Sequence, residues 1–241
     1  MATLYVDAMS QPCRAVMIFR RAAGLADVRE ELVNIAKGGT RAPAFLAVNP
    51  LGKVPALRED DGFVLAESGA LLRYLADARG GAAARWYPAD RRARARVDAA
   101  LDWHASALRT PSRLVAWHSA IAPSLGLPAN PALVADFALP ALREALRALE
   151  DVWLRGDAPF LAGGAFSIAD LQAACELEQH TLLDAGAGGP GACEALFAPF
   201  PRVRAWRARV ERAAAPHYDE VHAVLRRARE RMVAKRGASR L

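Results

Sequence analysis

Over the first eighty residues the apolar positions keep switching between alternation and three-to-four spacing, which predicts short strands interleaved with short helices. Thr3 to Asp7 reads as a strand, and Pro12 to Ala23 as a helix ended by Gly24. Val28 to Asn34 reads as a second strand, followed by a short helix from Ala42 to Val48 that Asn49-Pro50 stops. Val54 to Leu57 and Phe63 to Ala66 flank Asp60-Asp61-Gly62, a hairpin turn by composition. With Glu67 to Ala78 as a closing helix, the predicted order is β-α-β-α-β-β-α.

From Arg91 onward the pattern is helical only. Leu142, Leu146, Leu149 and Trp153 recur at three and four, as do Val203, Trp206 and Val210. This divides the chain into an α/β domain over 1–78, a linker over 79–90 marked by Gly-Gly and Tyr87-Pro88, and an all-helical domain over 91–241. Within the latter, Ser167-Ile168-Ala169-Asp170 pairs a capping residue with a carboxylate three positions on, and Phe166 and Leu171 are spaced for a hydrophobic staple. The Gly- and Ala-rich stretch from Asp184 to Cys193 reads as a flexible inserted loop.

Composition narrows the function classes. With 53% hydrophobic residues in 241, the chain can bury a sizeable core. No apolar run approaches the roughly 18 residues of a membrane span, and the first residues lack the layout of a secretory signal, so neither a membrane nor export is expected. The three cysteines, Cys13, Cys175 and Cys193, are widely spaced without a C-x-x-C pair, and the five histidines show no ligand spacing. A disulfide scaffold and a metal site are therefore not expected. The net charge of +6 comes from arginines spread along helices, with no aromatic interleaving to stack bases, so nucleic acid is not expected as a partner.

The most informative segment is Ser10-Gln11-Pro12-Cys13-Arg14, which ends the first strand and opens the first helix. Alone it reads as a helix cap followed by a proline in the first turn. The same place sets a hydroxyl beside unpaired backbone N–H groups and a positive dipole end, where a thiolate can be held.

Further motifs favour the second reading. Leu51-Gly52-Lys53-Val54-Pro55-Ala56-Leu57, then E-S-x-A-L-L-x-Y-L from Glu67, then W-Y-P-x-D-x-x-x-R-A-R-V-D from Trp86 stand downstream, and the Ser167 to Asp170 cap follows. In this order they resemble the glutathione transferase family, most closely its theta class, over nearly the whole chain. The resemblance implies an α/β thioredoxin-like N-terminal domain followed by an all-α C-terminal domain, glutathione as co-substrate and a homodimer.

It also implies a site. Val54-Pro55 would be a cis peptide, with the Val54 backbone pairing with the cysteinyl part of glutathione. Lys53 would stand near the glycyl carboxylate, and Thr40 with it. At that point animal theta members carry a histidine, while here Lys37-Gly38-Gly39 leads to Thr40. Ser68 would hold the γ-glutamyl carboxylate and Glu67 its ammonium; in isolation both residues also read as an ordinary helix start. Ser10 would donate a hydrogen bond to the thiolate, because a hydroxyl is too weak a base to take the thiol's proton. Arg109 would neutralise the leaving group of a small hydrophobic electrophile or of an organic hydroperoxide. Cys13 is the rival centre, since some relatives react through a cysteine; it also reads as a small core residue. A non-catalytic ligand-binding or assembly protein of the same fold is the other alternative. Ser239-Arg240-Leu241 resembles the peroxisomal tripeptide address, which suggests the peroxisome, with the cytoplasm as alternative.

Overall fold

The computed structural model describes residues 1–156 and 158–238. Its first part contains β1 (Ala2–Val6), α1 (Gln11–Ala22), β2 (Val28–Leu32), α2 (Pro43–Leu46), β3 (Ala56–Glu59), β4 (Val64–Ala66) and α3 (Ser68–Arg79). The sheet runs β2-β1-β3-β4, with β1 parallel to β2 and antiparallel to β3. This is the thioredoxin-like order expected from the sequence. Most element boundaries differ from the expected ones by one or two residues, and two of the shifts have a local reason. β3 begins at Ala56 rather than Val54, after a proline that has no N–H to give a ladder. α3 begins one residue late because Glu67 has φ of 68°, outside helical space.

Alternation along β1 divides the core in two. Ala2, Leu4 and Val6 face the main core shared with α1 and α3, while Tyr5 joins Val33, Phe45, Val48 and Ala56 on the other face under α2.

The helical part comprises α4 (Gly81–Ala84), α5 (Arg91–Trp103), α6 (Arg109–Ala116), α7 (Ala122–Ser124), α8 (Pro131–Leu133), α9 (Leu139–Ala148), α10 (Ile168–Glu178), α11 (Ala192–Phe197), α12 (Pro201–Ala213) and α13 (His217–Ala238). Single π turns at His104–Leu108 and Trp117–Ile121 join α5, α6 and α7 into one long rod. α10 is buried throughout from Ile168 to Leu177, with Asp170, Gln172 and Glu176 as its buried polar residues. Its start is fixed by Asp170, whose carboxylate accepts from Ser167 N at 3.0 Å, Ser167 Oγ at 2.9 Å, Leu161 N at 2.8 Å and Trp206 Nε1 at 2.8 Å. Four donors satisfy a fully buried carboxyl group, whose pKa burial raises.

The 79–90 stretch is anchored at a few points. Trp86 and Tyr87 are buried, and Trp86 lies edge-on to Phe19 at 5.5 Å and against Phe166 at 4.8 Å. The Asp184 to Cys193 stretch is also tied down, against the expectation of a free loop. A Cβ on Gly186 would stand 2.3 Å from Ser119 O, so only glycine fits that approach. Asp184 Oδ1 accepts from Cys193 N at 2.9 Å, and Arg236 of α13 donates to the Gly186 carbonyl. The tripeptide Ser239-Arg240-Leu241 lies outside the described residues. Among the described residues no helix is long and apolar enough to cross a membrane.

Candidate functional site

A cavity of about 750 Å³ opens between the two parts of the chain, where the β3–β4 end of the sheet and the start of α3 meet α5, α6 and α10. Lys53, Val54, Glu67, Ser68 and Arg109 all line it, so five of the seven expected site residues share one space although they come from distant points of the chain.

The wall from Asn49 to Pro55 is set by backbone constraints. Gly52 has φ of 60°, and a Cβ there would meet Arg41 Nη1 at 2.7 Å and Thr40 O at 3.0 Å, which explains the glycine before Lys53. Buried Asn49 donates through Nδ2 to Lys53 O at 2.6 Å and accepts from Leu51 N at 3.2 Å. The Val54-Pro55 bond is cis. The Lys53 side chain is exposed at the cavity mouth. Thr40 does not line the cavity; it reaches the site only through its carbonyl against Gly52.

Glu67 is the one non-glycine with positive φ among the described residues, and it sits at the cavity rim. A strained, exposed acid there is the kind of outlier that marks a site. Ser68 follows as the first residue of α3, so the unpaired N–H groups of a twelve-residue helix point toward the same wall.

Ser10 is the N-cap residue of α1 by backbone, with φ −86° and ψ 126°, but its side chain makes no capping bond. The ordinary cap is thus absent. Pro12, not Ser10, lines the cavity, and Ser10 neighbours the Cys13 thiol and favours its ionised form. Burial pushes that thiol up to about 12 against the opposing effect of Ser10, so Cys13 is a protonated core group at neutral pH rather than a nucleophile. Arg14 completes the segment structurally. It is fully buried and donates to Ala8 O at 2.9 Å, Met9 O at 3.2 Å, Cys175 O at 3.2 Å and Gln179 Oε1 at 2.7 Å, tying the strand-to-helix turn onto α10.

Arg109 is not a free surface cation. Its Nη1 donates to Glu176 Oε2 at 2.7 Å, with His104 Nε2 at 3.6 Å from the same oxygen. Residues five apart point about 140° away from each other on an α-helix. The π turn between His104 and Arg109 closes that angle and lets both reach one carboxylate. Burial alone would raise the Glu176 carboxyl, but Arg109 and His104 pull it down to about 2.

Gln172 and His104 reach the cavity through helix packing and the π turn, for which residue spacing gives no signal, and Glu176 stands behind the wall, touching it through Arg109; Asn49 was visible only as a helix stop. No metal-holding cluster occurs among the described residues.

A thioredoxin-like domain joined to a helical domain, with the cavity between them and a cis proline in its wall, is the architecture of glutathione-handling transferases. Residues 10–78 match the model for the N-terminal domain of glutathione S-transferase, and residues 98–213 match the C-terminal domain. The chain belongs to the glutathione S-transferase family. Glutathione S-transferase T1 of Arabidopsis thaliana is 40% identical over 228 residues, covering 94% of this chain and 90% of that protein. Glutathione S-transferase T2 of the same plant is 41% identical over 97% of this chain, which spans only 38% of that relative's length. The human theta-class glutathione transferase in complex with the glutathione conjugate of 1-menaphthyl sulfate superposes with a TM-score of 0.83 at 36% identity, over 97% of this chain and 91% of that one. Within the family the chain is theta-like.

Proposed function

We propose that the protein is a glutathione transferase that conjugates the glutathione sulfur to small hydrophobic electrophiles and reduces organic hydroperoxides. The observation that carries this reading is the convergence of Lys53, Val54, Glu67, Ser68 and Arg109 on one cavity in a chain of this family.

In this mechanism Lys53 neutralises the glycyl carboxylate, and the Val54 backbone pairs with the cysteinyl residue. Ser68 and the first N–H groups of α3 bind the γ-glutamyl carboxylate, and Glu67 takes the ammonium. The Ser10 hydroxyl donates to the sulfur, lowering the thiol's pKa, and the released proton goes to solvent. The sulfur then forms a bond to carbon as halide or sulfate leaves, with Arg109 beside the departing anion. With a hydroperoxide, the sulfur takes the outer oxygen and releases the alcohol. A second glutathione reduces the sulfenic acid to give the disulfide and water.

We further propose a homodimer and, for a chain ending in Ser239-Arg240-Leu241, peroxisomal import, testable by size-exclusion mass measurement and by a fluorescent fusion with and without the tripeptide. The test of the activity is turnover of benzyl chloride and cumene hydroperoxide with glutathione. Wild type is expected to turn over both, and Ser10→Ala to lose at least about tenfold in kcat/KM. Equal rates in the two proteins would overturn the assigned role of Ser10.

A further inference from the structure

Gln172 of α10 is a cavity residue whose polar groups are only half used. Its Nε2 donates to Ser68 Oγ at 2.6 Å, a contact between the two parts of the chain at residues only 6% and 8% exposed. That bond commits one end of the amide to Ser68. The other end, Oε1, is buried with no hydrogen-bond partner. An orphaned buried carbonyl costs stability in the free protein, and a leucine or methionine would fill the same space without that cost. A cavity wall that keeps such a group is built to receive a donor from outside the chain.

We infer that Gln172 Oε1 accepts a hydrogen bond from the α-ammonium of the glutathione γ-glutamyl group, so that the second domain reads this end of the co-substrate. The inference rests on the glutathione reading above. An ammonium carries three donors, and Glu67 on the sheet side leaves at least one for an acceptor on α10. The choice of a neutral amide has a reason. The γ-glutamyl carboxylate is held at Ser68, one hydrogen bond away from Gln172, and a second carboxylate there would repel it.

The test is calorimetric binding of glutathione and of glutaryl-cysteinylglycine, in which hydrogen replaces the α-amino group. For Gln172→Met, the Kd for glutathione is expected to rise about tenfold, the Kd for the analogue to stay within about twofold of wild type, and the melting temperature not to fall. Gln172→Glu, which keeps an acceptor, should bind both thiols more weakly yet still prefer glutathione. Equal losses for both thiols in Gln172→Met, or no loss for glutathione, would overturn the inference alone. A wild type that binds neither thiol would remove the glutathione reading and the inference with it.

Discussion

Replacing Glu176 with glutamine removes the charge that holds Arg109 in the cavity wall, and the structure fixes the size of the effect. The carboxyl is 1% exposed and lies 2.7 Å from Arg109, and its pKa falls from 4.5 to about 2. A depression of that size makes ionised Glu176 worth about 3 kcal/mol to the folded state at neutral pH. The sign follows from the direction of the shift. A folded pKa below the unfolded one means the stabilisation is complete above pH 4.5 and disappears as pH falls toward 2. About 1 kcal/mol of it is gone by pH 4. Urea unfolding followed by tryptophan fluorescence, on wild type and Glu176→Gln at pH 7 and pH 4, measures both quantities. The variant is expected to be about 3 kcal/mol less stable at pH 7, with the gap narrowing by about 1 kcal/mol at pH 4. A gap below 1 kcal/mol at pH 7, or one that widens on acidification, would refute the account of this cluster.

Two further outcomes follow from buried groups away from the cavity. Burial holds His180 at about 4 and His222 at about 3, so both are neutral in the fold. Because their folded pKa lies below the unfolded value, stability is full above pH 6.5 and each histidine costs about 2 kcal/mol by pH 5; His222→Leu should flatten the pH dependence of urea unfolding over that range, and an unchanged slope would count against it. Cys13 is fully buried, so iodoacetamide should leave it unmodified in the native protein and label it in urea, as read by mass spectrometry, and Cys13→Ala should retain conjugating activity; native-state labelling with loss of activity would restore Cys13 as the reacting centre.

Much of the fold was legible because two periodicities were sufficient to read it. The strand reading of Thr3 to Asp7 and the three-to-four spacing in the first helix place Leu4 and Phe19 in the core, where both are fully buried. The cavity-lining positions Lys53-Val54-Pro55 and Glu67-Ser68 were legible as short motifs that resemble the family's, which residue patterning alone would have left as a loop and a helix start. The site was illegible where it depends on register between distant helices. Glu176 gains its meaning from a π turn about seventy positions earlier in the chain, and no residue pattern marks that extra turn. Gln172 gains its meaning from the packing of α10 against α3, which no residue pattern marks. The Gly-rich stretch near Gly186 read as slack because composition records freedom of the backbone, whereas the actual constraint is the closeness of Ser119.

The central claim is that Ser10 holds a thiolate, and the absorbance of bound glutathione at 240 nm tests it directly as pH is varied. In wild type the bound thiol is expected to ionise well below the free value near 8.5, and in Ser10→Ala its pKa should return upward by about one to two units, the worth of one hydrogen bond to an anion. Identical titration curves for wild type and Ser10→Ala would contradict the account.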